Sequence, residues 1–168
     1  HINDISKSNP ELAVSTLSRW RESRKQNSEE MEFIVSHGLR GLVKQGHPGA
    51  MKMLGYSSSH GVKATLFRTP AKVRRGSPLE FSFRIFAPED CNLLIDYAIH
   101  FRNKAGALNK GKVFKLKKLM LKKGDSIELR KRHMLHAQMT TRIIYPGQHI
   151  LELQINGVSA GKKKFEVL

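Results

Sequence analysis

The chain is poor in cysteine, tryptophan and acids, and each shortage excludes something. A lone Cys91 cannot build an intramolecular disulfide framework, so any β structure must hold by packing alone, as is usual in a reducing compartment. A cytoplasmic location follows as the expectation. No apolar run approaches the ~18 residues that a membrane span requires, which argues against a membrane partner. Only 14 Asp and Glu stand against 30 Lys and Arg in 168 residues, a formal net charge of +16. That imbalance exceeds what solubility asks for and points to a polyanion. An initiator Met and a charged-then-apolar leader are also missing from the opening His1-Ile2-Asn3-Asp4, and the expectation is a C-terminal part of something longer.

What is present falls into two halves. Residues 1 to 55 read as helix. Asn9 is a good N-cap, with Pro10 at the first helical position and Glu11 complementing the dipole, and Ala13, Leu17 and Trp20 follow at helical spacing. A second helix is expected from a Ser28 cap, with an apolar stripe of Met31, Ile34, Val35, Leu39, Leu42 and Val43 ending near Gly46. Pro48 opens a short third helix to Leu54, with Gly55 as its C′ residue. The segment before Asn9 reads as the end of an earlier helix. So few helices cannot close a repeat array, and further helical repeats are expected upstream.

YSSSHG at 56 to 61 is small and polar, a linker. From 62 to 168 the period becomes two. Leu79, Phe81, Phe83 and Ile85 alternate with polar residues, and Leu93, Ile95, Tyr97, Ile99 and Phe101 share one face of the next run. Further strands are expected at 127 to 129, 139 to 145 and 150 to 155, and Asn156-Gly157 should turn a hairpin into the last strand. Seven or eight short strands in this length suggest an antiparallel β-sandwich of immunoglobulin-like type, with Tyr145 as a corner tyrosine. GKKKF at 161 to 165 reads as a lysine-protected edge.

The charge is not shared evenly. Residues 1 to 55 hold 8 basic and 6 acidic residues, leaving 22 basic and 8 acidic for the rest. Mixed signs are expected of a plain structural surface, so the β half is the part expected to contact phosphate. LNKGKVFKLKKLMLKKGD, from Leu108 to Asp125, carries seven lysines and no acid before its last position. Arg102, Lys104, Leu108, Lys110, Lys112, Lys115 and Lys117, on a loop of small residues and the strand after it, are expected to enter a groove between phosphate strands. Arg130, Arg132 and His133 form a second cluster. Inward-facing aromatics disfavour single-strand stacking, so the expected partner is double-stranded DNA read by shape. A solvated lysine-rich hairpin is the plainer alternative.

No metal site and no cofactor are expected. His133 and His136, three apart on a strand, would face opposite ways, and the serines sit in linkers and caps rather than beside a base.

HINDISKSNP, the tryptophan of the next helix and HGLRGLVKQGHPGAMKMLGY resemble the DNA alkylation repair glycosylases built on HEAT-like repeats, in the AlkC branch. KRHMLHAQMTTRIIYPGQHILELQINGVSAGKKKFEV resembles that branch's immunoglobulin-like C-terminal domain. The resemblance implies a fold of HEAT-like helices followed by a β-sandwich. It also implies a monomeric, nucleoid-associated bacterial enzyme that excises cationic N3-methylated bases from duplex DNA. By the same resemblance Asp4 is a catalytic carboxylate, with Lys7 beside it on phosphate and the other site residues upstream, so that the fragment alone should be inactive. On the residues alone Asp4 is equally a surface carboxylate paired with Lys7 at i+3. The alternatives are a non-catalytic duplex-binding module and a protein-interaction scaffold.

Overall fold

The computed structural model describes residues 1–56, 61–136 and 143–168. It divides into two compact units, His1–Ser58 and Ser59–Leu168. Of the expected linker, residues 57–60 lie outside the described residues, as do residues 137–142, which take in most of the strand expected at 139 to 145.

The first unit holds α1 (Ile2–Ser8), α2 (Pro10–Ser23), α3 (Ser28–Gly38), α4 (Arg40–Lys44) and α5 (Pro48–Met53). Asn9 Oδ1 accepts from the Leu12 N–H at 3.1 Å, so α2 is capped as its sequence requires. The cap of α3 is Asn27 rather than Ser28, because the Asn27 carboxamide accepts from Glu30 N at 2.8 Å. The apolar stripe of α3 also does not run on unbroken. The helix stops at Gly38, Leu39 takes φ −95° and ψ 0°, and α4 restarts at Arg40. The break has a physical cause. A Cβ on Gly38 would stand 3.1 Å from Ile2 and 3.2 Å from Leu17, and Gly41 N donates to Asn3 Oδ1 at 3.1 Å, so α1 presses on this joint. Leu17, Met31, Val35, Leu39, Leu42 and Ala50 fill the core beneath.

Among the described residues the second unit has eight strands: β1 (Lys63–Arg68), β2 (Lys72–Val73), β3 (Pro78–Phe86), β4 (Cys91–His100), β5 (Lys112–Leu121), β6 (Ser126–Met134), β7 (Gly147–Ile155) and β8 (Val158–Val167). They form two sheets, ordered β1-β3-β6 and β2-β8-β7-β4-β5. Period-two alternation sends Leu79, Phe81, Phe83 and Ile85 of one sheet and Leu93, Ile95, Tyr97 and Ile99 of the other into a shared core. Asn156 (φ 48°) and Gly157 (φ 78°) turn the β7–β8 hairpin in the left-handed region.

One expectation about an edge needs correction. The lysine-rich strand β8 is not the sheet's last strand, since β2 pairs with it at Glu166 and Val167, but Lys162, Lys163 and Lys164 lie beyond that short partner. At the corner before β7 the Tyr145 carbonyl is anchored by the fully buried His149, whose Nε2 stands 2.9 Å away.

The edge strand β5 contains a bulge. Lys117 pairs with Ile95 and Lys115 with Asp96, leaving Leu116 as a surplus residue. Phe114 and Leu116 share one parity, Leu119 and Leu121 the other, yet all four touch the core. Only a one-residue slip reconciles them.

Candidate nucleic-acid interface

The loop from β4 to β5 is tied down rather than loose. Asn109 N donates to Phe101 O at 2.8 Å, Asn103 N to Ala107 O at 2.8 Å, and Asn103 Oδ1 accepts from Ala107 N at 3.0 Å. Arg102 and Leu108 form an isolated antiparallel bridge. Lys104, Leu108 and Lys110 stand exposed on this short ribbon, with Leu108 an exposed apolar residue amid cations. Arg102 behaves differently from its neighbours. It is half-buried, and a Cβ on Gly106 or Gly147 would lie 2.9 Å or 3.0 Å from its side chain, so it braces the loop against the start of β7.

On β5 the register separates the lysines that the sequence groups together. Lys115 pairs with Asp96, on the face away from the core. Lys112 pairs with the core residue Ile99, and its Nζ stands 5.6 Å from the Phe114 ring centroid, a cation–π contact. Lys117 sits at the bulge. All three are exposed, so β5 offers positive charge from both of its faces along one free sheet edge. Further along, Lys122 and Lys123 belong to a turn held by Asp90, whose carboxylate accepts from Lys122 Nζ at 2.8 Å and Lys123 N at 2.9 Å.

Arg130, Arg132 and His133 do not form one cluster. Arg130 and Arg132 are exposed on the outer face of the other sheet, where Arg130 meets Glu128 at 3.0 Å and Arg132 meets Glu80 at 3.5 Å. His133 pairs with the core residue Leu79, shares a hydrogen bond of 2.8 Å between its Nδ1 and the Tyr97 hydroxyl, and packs edge-on against Phe114 at 4.6 Å. Burial pushes the Tyr97 phenol up to about 12, so it stays neutral in this bond.

The face of β4 turned from the core carries its own ionic group. Glu152 is buried, with His100 Nε2 at 2.6 Å and Lys162 Nζ at 3.7 Å. Burial opposes its ionisation, but hydrogen bonds from His100 and Ser159 and the Lys162 charge outweigh that, and its carboxyl is held below the usual value. Gly111 lies over His100, where a Cβ would meet the imidazole at 2.9 Å. Among the described residues no group of three or more His, Cys, Asp and Glu is placed to hold a metal ion.

In the first unit Asp4 is exposed on α1 and Lys7 Nζ donates to its Oδ1 at 2.7 Å. That hydrogen bond, together with the Lys7 charge, holds the carboxyl below its ordinary range, so it is ionised at neutral pH. Asn3 next to it latches α1 to α4 through Gly41 N, which fixes the helix from which Asp4 projects.

Sequence reasoning passed over Arg68 and Ser82, which register places in one row with Arg130. Alternation could have put Ser82 on an outer face, but the bulge of β1 at Leu66 carries no sequence signal.

The comparisons with known proteins agree with one another. Residues 63–168 match the family model described as "Uncharacterised protein YhaZ, C-terminal Ig-like domain". "Uncharacterized protein YhaZ" of Bacillus subtilis is 30% identical over 168 residues, covering 99% of this chain and 45% of that protein. Pseudomonas fluorescens alkylpurine DNA glycosylase AlkC, solved bound to DNA containing an abasic site analog, superposes over 100% of this chain and 46% of its own, with TM-score 0.89 and 32% identity. A β-glucosidase of Listeria innocua, solved in complex with isofagomine, is similar over 67% of this chain and 17% of its own at TM-score 0.56 and 14% identity, a likeness of fold alone. The chain therefore spans less than half the length of the two relatives it matches along its whole length.

Proposed function

Because the chain belongs to the family of the YhaZ C-terminal Ig-like domain, and resembles AlkC from end to end, we propose that it is the C-terminal part of a DNA glycosylase that excises cationic N3-methylated bases from double-stranded DNA. The observation that carries the proposal is the likeness, over the whole chain, to an alkylpurine DNA glycosylase solved on DNA. In it, residues 1–55 close a HEAT-like repeat domain, 56–61 link, and 62–168 form an immunoglobulin-like sandwich that grips the duplex. Lys104, Leu108, Lys110, Lys112, Lys115 and Lys117 take the groove and its phosphates, with Arg102 bracing them. The protein works as a cytoplasmic monomer on the bacterial nucleoid.

The chemistry asks little of an acid. A cationic alkylated base is already a good leaving group, and as its N-glycosidic bond breaks, positive charge grows on the sugar. A carboxylate fixed near that carbon stabilises the charge and orients water for the hydrolysis. Asp4 meets the electrostatic requirement, since it is an exposed carboxylate whose ionised form the bond to Lys7 favours further. The Asn3 latch supplies the fixed position that preorganisation demands. The remaining site residues belong to the larger protein, and this stretch alone has little or no excision activity.

The test is base release by the complete protein from methylated duplex. Asp4→Asn abolishes release and leaves duplex affinity intact if the assignment holds; unchanged release removes Asp4 from the mechanism. A second reading, a duplex-binding module without chemistry, is favoured by the Asp4–Lys7 ion pair, which gives that carboxylate a purely structural occupation. It predicts duplex binding with no release by any variant.

A further inference from the structure

The sheet β1-β3-β6 bears a row that the glycosylase proposal does not use. Arg68 pairs with Ser82 on one side and Arg130 pairs with it on the other, so two arginines flank a small residue on the central strand. Adjacent strands lie about 4.8 Å apart, which sets the two arginine backbones about 10 Å from each other across the Ser82 position. Above Ser82 lies a cavity of about 510 Å³, lined also by Thr69, Glu80 and Arg132. The Thr69 Oγ1 is buried and has no hydrogen-bond partner among the described residues.

The charges around the trough do not cancel. Glu80 meets Arg132 at 3.5 Å; Glu128 meets Arg130 at 3.0 Å and reaches Arg84 at 4.0 Å. Arg68 has no carboxylate within 4.0 Å among the described residues, leaving four guanidinium groups to two carboxylates. The Arg130 and Arg132 side chains are mostly exposed, and ion pairs in that setting are weak enough for an entering anion to displace. The cations here are mostly arginines, whereas the β4–β5 hairpin presents mainly lysines. Arginine's planar fork suits bidentate contact with a phosphate, which lysine cannot make.

Local backbone aims Arg68 into the row. Leu66 takes φ 50°, a conformation uncommon for a leucine, and the pairing of β1 slips between Thr65 and Arg68. Phe67 enters the core against Phe81 and Phe83, and Arg68 comes out beside Ser82. Such strain persists only where surrounding structure enforces it, and it concentrates at functional sites.

We propose that the trough over Ser82, between Arg68 and Arg130, is a phosphate-binding site distinct from the lysine-bearing β4–β5 hairpin. Its phosphate comes either from a nucleic-acid backbone, which extends the glycosylase proposal to a second contact surface, or from a soluble polyphosphate, which is independent of it.

Backbone amide NMR on the 168-residue chain, with inorganic triphosphate and with a short labelled DNA duplex as separate probes, tests the site. Both Arg68→Gln/Arg130→Gln and Ser82→Phe, which plugs the trough and spares the arginines, serve as variants, with melting temperatures as fold controls. Triphosphate is expected to shift the Thr69 and Ser82 amides in the parent and in neither variant. If the anion is DNA, Arg68→Gln/Arg130→Gln lowers duplex affinity about tenfold and reduces the salt slope by about 1.8, two phosphate contacts' worth. Arg68→Lys/Arg130→Lys keeps the charge and the salt slope but lacks the bidentate fork, and recovers only part of the affinity. Triphosphate shifts with duplex affinity unchanged by the arginine variant assign the site to a soluble polyphosphate. A duplex that binds the arginine variant weakly but the Lys112, Lys115 and Lys117 variant normally supports the site and sinks the hairpin grip instead. Thr69 and Ser82 amides that respond to neither probe, in a chain that binds duplex equally well with and without the two arginines, overturn the proposal.

Discussion

The backbone N–H of Arg102 donates to Nδ1 of His149 at 3.1 Å, which leaves the imidazole's proton on Nε2, where it is donated to the Tyr145 carbonyl at 2.9 Å. His149 is fully buried, stacks on Phe165, and ties the loop after β4 to the start of β7. The bond from Arg102 requires the neutral ring, because a protonated Nδ1 cannot accept it, whereas the bond to Tyr145 survives protonation.

Acid should therefore loosen this corner before it touches the surface carboxylates. Burial is the main force holding His149 below its ordinary value, with the Arg102 charge adding to it. In the unfolded chain the imidazole binds its proton near pH 6.5, so below that pH the unfolded state holds one proton more and folding loses up to about 1.4 kcal/mol per pH unit. The loss continues down to the lowered folded value. Asp4 and Asp90 are also depressed, but their contribution fades only in the carboxylate range, below about pH 4. Urea unfolding at steps from pH 7.5 to 5 should show the decline, and His149→Gln should flatten it while lowering stability at pH 7.5.

Asn3→Ala removes the acceptor for Gly41 N, leaving a half-buried donor unmet where α1 meets α4. The expected loss is about 1–2 kcal/mol, read from thermal unfolding followed by helical circular dichroism.

Asn156 both makes a turn and staples a strand. Its Oδ1 accepts from Leu94 N at 2.7 Å, its Nδ2 donates to Asn92 O at 3.2 Å, and its own φ is 48°. Asn156→Ala keeps the strained backbone and strands a buried N–H, for an expected cost of about 2–4 kcal/mol. Asn156→Gly relaxes the backbone but loses the same bonds, and should fall between the two in urea midpoint.

Duplex binding by the chain should weaken steeply with salt. Changing Lys112, Lys115 and Lys117 together to Gln should cut the slope of log affinity against log salt by up to about 2.7 and weaken duplexes of different sequence alike. Fluorescence anisotropy across a salt series reads both quantities. A slope unchanged from the parent would place the hairpin off the DNA.

Local chemistry was the legible part of the sequence. Asn9 with Pro10, Pro48, Asn156-Gly157 and the alternation of Leu79 to Ile85 each specify a cap, a start, a turn or a face within a few residues. What stayed hidden depends on neighbours far along the chain. The apolar stripe from Met31 to Val43 gives no hint of a stop at Leu39, because the pressure comes from Ile2 and Asn3 of another helix. Lys112 and Lys115 look alike in sequence, and only the register with Ile99 and Asp96 assigns them to different faces. His133 beside two arginines reads as one more cation, whereas pairing with Leu79 turns it toward Tyr97. The row of Arg68, Ser82 and Arg130 draws on three strands and a backbone irregularity, none of which a linear pattern encodes.

The extra residue in β5 carries a consequence for how this edge can change by mutation. Shortening the strand at Lys117 lets Leu116 take its place opposite Ile95 and restores an uninterrupted ladder, with Phe114 and Leu119 still inside. A shortened chain should thus fold at least as well while presenting one ammonium fewer. Keeping the longer version means tolerating an irregular border for the sake of an additional cation, so loss of that single codon is a tolerated step toward a milder edge.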